Sequence, residues 1–288
     1  MIRRKRGRLW KRTAPLLVLC LLGLTGCARP AAGNIADTSP AVPGQTSSAL
    51  AQITIYSDEE EPQYDTEYYL PEERKEENGQ IRSYLTGQMV DALKGNRRPV
   101  AVMMSNDKAA LPQYGINRAG VVYEAPVEGD MNRYMAILED YDDLDRIGSV
   151  RSCRTCYVYF AREFDAVYAH YGQSDFAKPY LKHIDNINGL EAIGTTAYYR
   201  SKDRKAPHNA YTGGDRLKLA IRTLGYSDAY DSGYKGHYLF ARDGCVLTLD
   251  DRPGVIQAVR AEPGYTGNQA YFLYDAADGL YHRYQYGA

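Results

Sequence analysis

The sequence predicts an α+β fold, on three observations. Short apolar runs bounded by Gly, Asn and Asp recur between residues 99 and 284, as strands and their turns do. Segments with helical spacing lie among them, at 152–164, 174–185 and 215–224. The two kinds mix without strict alternation, which disfavours a doubly wound sheet.

Taken in order, Pro99 to Met104 reads as a buried strand, bounded by Asn96 and by Ser105-Asn106-Asp107. Val121 to Glu124 and Arg133 to Leu138 are two more strands, separated by a Gly129-Asp130 turn. Ser152 to Phe164 is spaced as a helix with Ser152 at its N-cap. Ala166 to Tyr171 is a short strand. Ser174 to Asp185 looks helical, with Ser174 as cap and Pro179 against it. Asp215 to Leu224 is a helix that stops at Gly225. His237 to Ala241, Val246 to Leu249, Val255 to Arg260, Tyr271 to Tyr274 and Tyr281 to Tyr284 read as strands, punctuated by Gly244, Gly254, Gly264 and Gly279. The 27 tyrosines suit strand faces with one wet edge better than a stacking platform for ligands.

The chain has 288 residues, enough for one or two domains. With 25% charged and 44% hydrophobic residues it is not a wholly disordered chain. No apolar run reaches the ~18 residues of a membrane span, which argues against a polytopic membrane protein. Residues 1–12 hold seven bases and no acid, and Thr13 to Gly26 is uncharged and mostly apolar. This is the layout of a secretory signal peptide over residues 1–26. Leu24-Thr25-Gly26-Cys27 places small residues before a cysteine, as in the bacterial lipobox. Cys27 is therefore the expected lipidation site, and two acyl chains give the affinity that one lacks. The expected place is the outer face of the cytoplasmic membrane, extracytoplasmic and lipid-anchored.

Residues 27–82 read as a tether. Residues 28–52 are rich in Ala, Gly, Ser, Thr and Pro, and 58–77 carry ten acids against two bases. The whole chain has a net charge of −1, and the mature chain would stand at −8. Nearly all of that excess lies in the acidic block. A domain over residues 83–288 is thus close to neutral, so recognition must come from local clusters. No excess of bases favours nucleic acid.

Polar chemistry gathers in four segments. Glu124 and Glu128 flank a turn with Arg133 beyond it. Arg151 and Arg154 sit three residues apart at a helix start, where backbone N–H groups favour anions. His170 to Ser174 joins a strand end to a helix. Residues 200–212 form a basic loop containing His208 and Asn209. Cys153-Arg-Thr-Cys156 is either a redox C-x-x-C, a local disulfide, or two half-buried small residues.

NRRPVAVMMSN (96–106), YEAPVEGDMNRYMAI (123–137), IGSVRSCR (147–154), HYGQS (170–174) and APHNAYT (206–212) resemble, in order, the YerB-like lipoproteins that carry a domain of unknown function, DUF3048. The resemblance covers about residues 83–288. It implies a three-layer sandwich of two sheets and a helical layer, with the later part a possible C-terminal subdomain. It implies no activity. Members usually continue further, so a truncated C-terminus is expected. Members more often carry a small apolar residue where Cys153 stands.

Two functional classes follow. The first is a binding module for an anionic envelope ligand, such as a wall-polymer phosphate, a peptide carboxylate or a phospholipid head group. Its residues would be Arg133, Arg151, Arg154, His170, Ser174, His208 and Asn209, with Glu124 and Glu128 orienting the arginines. The second is a hydrolase-type or metal-dependent enzyme, with Glu124 or Glu128 as base and His170 or His208 as acid. No H-E-x-x-H, G-x-S-x-G or phosphate-loop motif is present, so a non-enzymatic role is favoured, with no cofactor and no metal. A third possibility is an Arg–Glu network that only holds loops together.

Overall fold

The computed structural model describes residues 68–245 and 254–287. The expected signal peptide, Cys27, the tether up to residue 67 and the strand expected at Val246 to Leu249 lie outside the described residues. After a 3-10 turn at Pro71–Glu73 come β1 (Gln80–Arg82), β2 (Met89–Asp91) and α1 (Ala92–Gly95). Then come β3 (Val100–Ser105), β4 (Val121–Pro126), β5 (Asn132–Leu138) and β6 (Ile147–Gly148). α2 (Thr155–Glu163), β7 (Val167–His170), α3 (Lys178–Leu181), β8 (Asn186–Asn188) and α4 (Gly194–Ala197) follow. The rest is β9 (Tyr199–Arg200), β10 (Ala210–Thr212), α5 (Gly214–Leu224), β11 (Arg260–Ala261), β12 (Tyr271–Asp275) and β13 (Leu280–Tyr284).

A five-stranded mixed sheet, order β4-β5-β3-β7-β8, forms the centre. β4, β5 and β3 are antiparallel neighbours, whereas β3, β7 and β8 run parallel. Every residue of β3 and β5 is buried, because both faces of the sheet are covered. That is why Val100–Met104 and Tyr134–Leu138 are apolar runs rather than alternations. Val100, Val102 and Met104 face one core with Leu138, Ile147, Ala197, Leu217 and Ile221. Ala101 and Met103 face the other, with Met135, Ile137, Tyr157, Val158, Ala161 and Phe164. The layers are therefore α2 with α3, the central sheet, and a mixed layer of α4, α5 and the three-stranded sheet β6-β10-β9. This is an α+β sandwich. Truncating Met103 or Met104, each fully buried, would cost about 2–5 kcal/mol through lost transfer energy and the cavity left behind.

Leu217, Ala220 and Ile221 put the apolar stripe of α5 on one side, and Gly225 ends the helix at φ 70 as its sequence predicts. Several expectations need correction. α2 starts at Thr155, and its N-cap is Arg154 in an extended conformation; Ser152 precedes the helix and does not cap it. Arg151 and Arg154 therefore do not share a helix face. The segment 174–185 forms a 3-10 turn at Asp175–Ala177 and only one turn of α3, and the Ser174 side chain makes no cap bond. His237 to Ala241 is not a strand; Ala241 makes a lone bridge with Tyr68. Of Val255 to Arg260, only Arg260 joins a strand.

The tether boundary at 82 is also too late. From Tyr68 onward the chain is part of the fold: Glu73 pairs with Arg242 at 2.8 Å, and Arg74 donates to Arg82 and Gly95 carbonyls. No helix among the described residues is long and apolar enough to cross a membrane.

Candidate functional site at the carboxyl edge of the sheet

β3, β7 and β8 end on the same edge, at Ser105, His170 and Asn188. β5 starts there, because Arg133 lies opposite Ser105. Buried polar residues crowd this edge: Ser105, Asn106, Asn132, Arg133, Ser149 and His170. In open sheets with parallel strands, ligands bind at carboxyl ends, where connections diverge and leave a crevice. Here the chain leaves β3 toward β4 and β5 on one side and returns to β7 on the other.

Residues 148–154 cross this edge as a loop fastened on three sides. Val150 N donates to Ala210 O at 2.7 Å, and Arg151 N donates to Met103 O at 2.9 Å. Tyr171 N donates to Arg151 O at 2.9 Å, and Cys153 N to Gly172 O at 2.9 Å. Gly148 permits the approach. Its φ is 131°, and a Cβ there would lie 2.7 Å from Val150 N and 3.2 Å from Ala210 O.

Three guanidiniums meet at this loop. Arg133 extends from β5 on the α2 side of the sheet and donates Nη1 to the Ser152 carbonyl. Arg154 Nη1 lies 3.5 Å from the same carbonyl. Arg154 is neutralised by Glu128, with Nε to Oε2 at 2.8 Å, and holds that carboxyl down to about 2. Arg151 Nη1 reaches only the Pro207 carbonyl, at 3.3 Å. Arg133 is 5% exposed, yet neither it nor Arg151 has a carboxylate partner among the described residues. Burial, then the charges of Arg154 and Arg151, bring the Arg133 guanidinium down to about 10. Burial lowers Arg151 as well.

His208 borders the group. Its Nε2 is 3.9 Å from Asp107 Oδ2, too long for a hydrogen bond, and its buried Nδ1 has no partner. Burial lowers the imidazole; Arg151 and Arg204 act the same way and Asp107 opposes them. The buried Ser149 hydroxyl is also unpartnered. Sequence reasoning missed Asp107 and Ser149. The signal for Asp107 was its place after β3, where it caps the 3-10 turn Lys108–Ala110 by accepting from Ala109 N. Ser149 gave none.

Other predicted residues lie elsewhere. Glu124 is on the opposite face of the sheet from Arg133, and does not orient the site arginines. Its carboxylate accepts from Asn106, Asn132 and Asn268, and is clamped by Arg283 at 2.8 and 3.0 Å. Four of these donors converge on Oε1 and one on Oε2, so the carboxylate is committed to this network. His170 is fully buried, bonded to Gly172 O and Asn186 Oδ1, and burial lowers its imidazole. Ser174 contributes its backbone N–H to Cys153 O. Asn209 ties its own loop, accepting from Arg200 and donating to Ser201 O.

Cys153 is buried and burial pushes its thiol up to about 11; Cys156 is raised for the same reason. Both shifts disfavour the thiolate, the opposite of what a redox-active C-x-x-C thiol needs. Among the described residues, Asp275, Asp278 and His282 are the group of metal-capable side chains within 4.8 Å of one another, and none of them belongs to this edge. A cavity of about 430 Å³ lined by Tyr69, Arg74, Arg82 and Tyr84 lies toward the other end of the sheet, where Ser83 donates to Glu139. Its arginines are committed: Arg82 to Asp243 and the Tyr69 ring, Arg74 to the Tyr84 ring.

The family model described as the N-terminal domain of a protein of unknown function, DUF3048, matches residues 85–227. That span includes Arg133, Arg151, Arg154 and His208 but neither Asn268 nor Arg283. YerB of Bacillus subtilis (strain 168), whose given name includes the word lipoprotein, is 36% identical over 148 residues, which is 51% of this chain and 44% of that protein. The chain thus matches less than half the length of this curated relative. The crystal structure of YerB from Bacillus subtilis superposes with a TM-score of 0.59 at 30% identity, covering 72% of this chain and 67% of that one.

Proposed function

The chain belongs to the DUF3048 family, that of YerB, and from this premise we propose that it is a lipid-anchored extracytoplasmic protein that binds an anionic group at the carboxyl edge of its sheet. One observation carries the binding reading: Arg133 is 5% exposed and has a carbonyl, but no carboxylate, as its partner. A buried charge without a counterion is costly, and a fold that keeps one next to two further guanidiniums gains by receiving an anion. Guanidinium forks suit phosphoryl and carboxylate oxygens, donating two N–H groups at once. The candidates are a wall-polymer phosphate, a peptide carboxylate or a phospholipid head group.

Anchoring is supported by the Leu24 to Cys27 motif and by the name of the relative. Catalysis has less support. Glu124 is clamped by Arg283, Glu128 is held by Arg154, and His208 stands 3.9 Å from the Asp107 carboxylate. A purely structural network accounts for Arg283–Glu124 and Arg154–Glu128, but not for Arg133 or Arg151.

The test is calorimetry of the full chain in detergent with inorganic phosphate and with acetate. Binding of either that is lost in Arg151→Ala supports the reading; no heat and no thermal stabilisation from either anion overturns it. A Cys27→Ser change should release the protein from membranes or block its processing. Retention with full processing would refute the anchor.

A further inference from the structure

The site arginines do not end the positive surface. The loop that accepts from Arg151 through Pro207 O continues backward into Lys205, Arg204 and Lys202. Across the His208–Asp107 contact lies Lys108. Arg204 fastens the two segments together by donating to the Ala110 and Pro112 carbonyls. Lys108, Lys202 and Lys205 are exposed, and their ammonium groups have no partner among the described residues. The nearby Asp203 is taken by Arg146 at 2.8 Å and by Ser201. Lys205 is two residues from Pro207, about 7 Å at most along the chain. A cationic strip therefore runs from the buried Arg133 through the half-buried Arg151 to the exposed Lys205 and Lys108.

The two ends differ in chemistry. Forked guanidinium donors fix one anion in orientation, while lysines on flexible stems act as point charges that tolerate variable positions. Arg133 and Arg151 come from different elements, a strand and a loop. A phosphodiester can serve both with its two free oxygens, one to each guanidinium, and its chain carries one such charge per repeat onward to the exposed lysines.

We infer that the ligand is a linear phosphodiester polymer, with one phosphate held by Arg133 and Arg151 and the neighbouring repeats lying along Lys205, Lys202 and Lys108. This rests on the anion-binding reading and narrows it. Linking successive phosphates turns each later contact into an intramolecular event, so affinity rises with chain length and falls steeply with salt.

The experiment titrates the full chain in detergent with synthetic oligo(glycerol phosphate) of one, three and eight repeats, and with poly-glutamate of eight residues. The expected result is a gain of about a hundredfold from one repeat to eight, beyond the number of registers an eight-mer offers. Lys202→Ala/Lys205→Ala should remove most of that gain and leave the one-repeat ligand unchanged. If the one-repeat ligand binds but the gain does not exceed the register count, the polymer inference is overturned and the anion site stands. If poly-glutamate matches the eight-repeat phosphate, the phosphoryl assignment is overturned. If no anion binds, both fail together.

Discussion

Replacing Arg133 by Met separates a ligand site from a structural strut, because the two roles predict opposite signs. The guanidinium is 5% exposed and is brought down to about 10 by burial and by Arg154 and Arg151. At 1.36 kcal/mol per pH unit, that displacement is a penalty of about 3 kcal/mol on holding the group charged. The folded value lies below the unfolded one, so the penalty is complete at neutral pH and is relieved only as pH rises through about 10. Met retains the apolar stem but loses the bond to the Ser152 carbonyl, worth about 1.5–3 kcal/mol for a charged donor. Arg154 Nη1, already 3.5 Å from that carbonyl, takes over part of it. The net expectation is stabilisation by about 1 kcal/mol, with Tm higher by about 2–4 °C in a domain of this size. Stabilisation by added phosphate should vanish in the same variant. Thermal and urea unfolding with and without phosphate measure both. Destabilisation by more than about 1 kcal/mol would refute the reasoning and make Arg133 a strut.

Glu124→Gln should cost about 2–3 kcal/mol in urea unfolding, because it leaves Arg283 and three asparagines short of an acceptor at a site 11% exposed; phosphate affinity should not change. Glu128→Gln should leave stability within about 0.5 kcal/mol, since that carboxylate is 62% exposed, yet raise anion affinity about three- to tenfold by freeing Arg154. Glu128 is held at about 2, so acid releases Arg154 only as pH falls through that value, and calorimetry above pH 4 should show no such step. Thiol labelling of the native protein at neutral pH should proceed in the order Cys245, Cys156, Cys153, following exposure; mass spectrometry showing Cys153 modified as fast as Cys245 would contradict its burial.

The central sheet was legible because its pattern is local. The run at 100–105, the hairpin around Gly129-Asp130 and the stop at Gly225 each follow from neighbouring residues. The helix at 152–164 was recognised but began three residues late, because the extended loop 148–154 is held by β3, β7 and β10 rather than by its own propensity. Residues 237–241 have strand composition, but tertiary contacts give them one bridge instead of a ladder. At the site, clustering of Arg133, Arg151 and Arg154 could be expected from the sequence. The fate of Glu124 could not, because its partner Arg283 is 159 residues away. Asn132 and Arg133 are adjacent in sequence but face opposite sides of β5, so two charge systems that look contiguous in the chain are separated by the sheet.

The fastening of Arg151 has a kinetic consequence. Its N–H is held by Met103, its carbonyl by Tyr171 and its head by Pro207, so the residue is preorganised before any anion arrives. Anion binding as proposed would then order little of the chain. Amide exchange across 148–154 should be slow already in the free protein, and the heat-capacity change on binding small. On the anion-binding proposal, association would be set by electrostatically steered encounter and by stripping water from the anion, not by a conformational step.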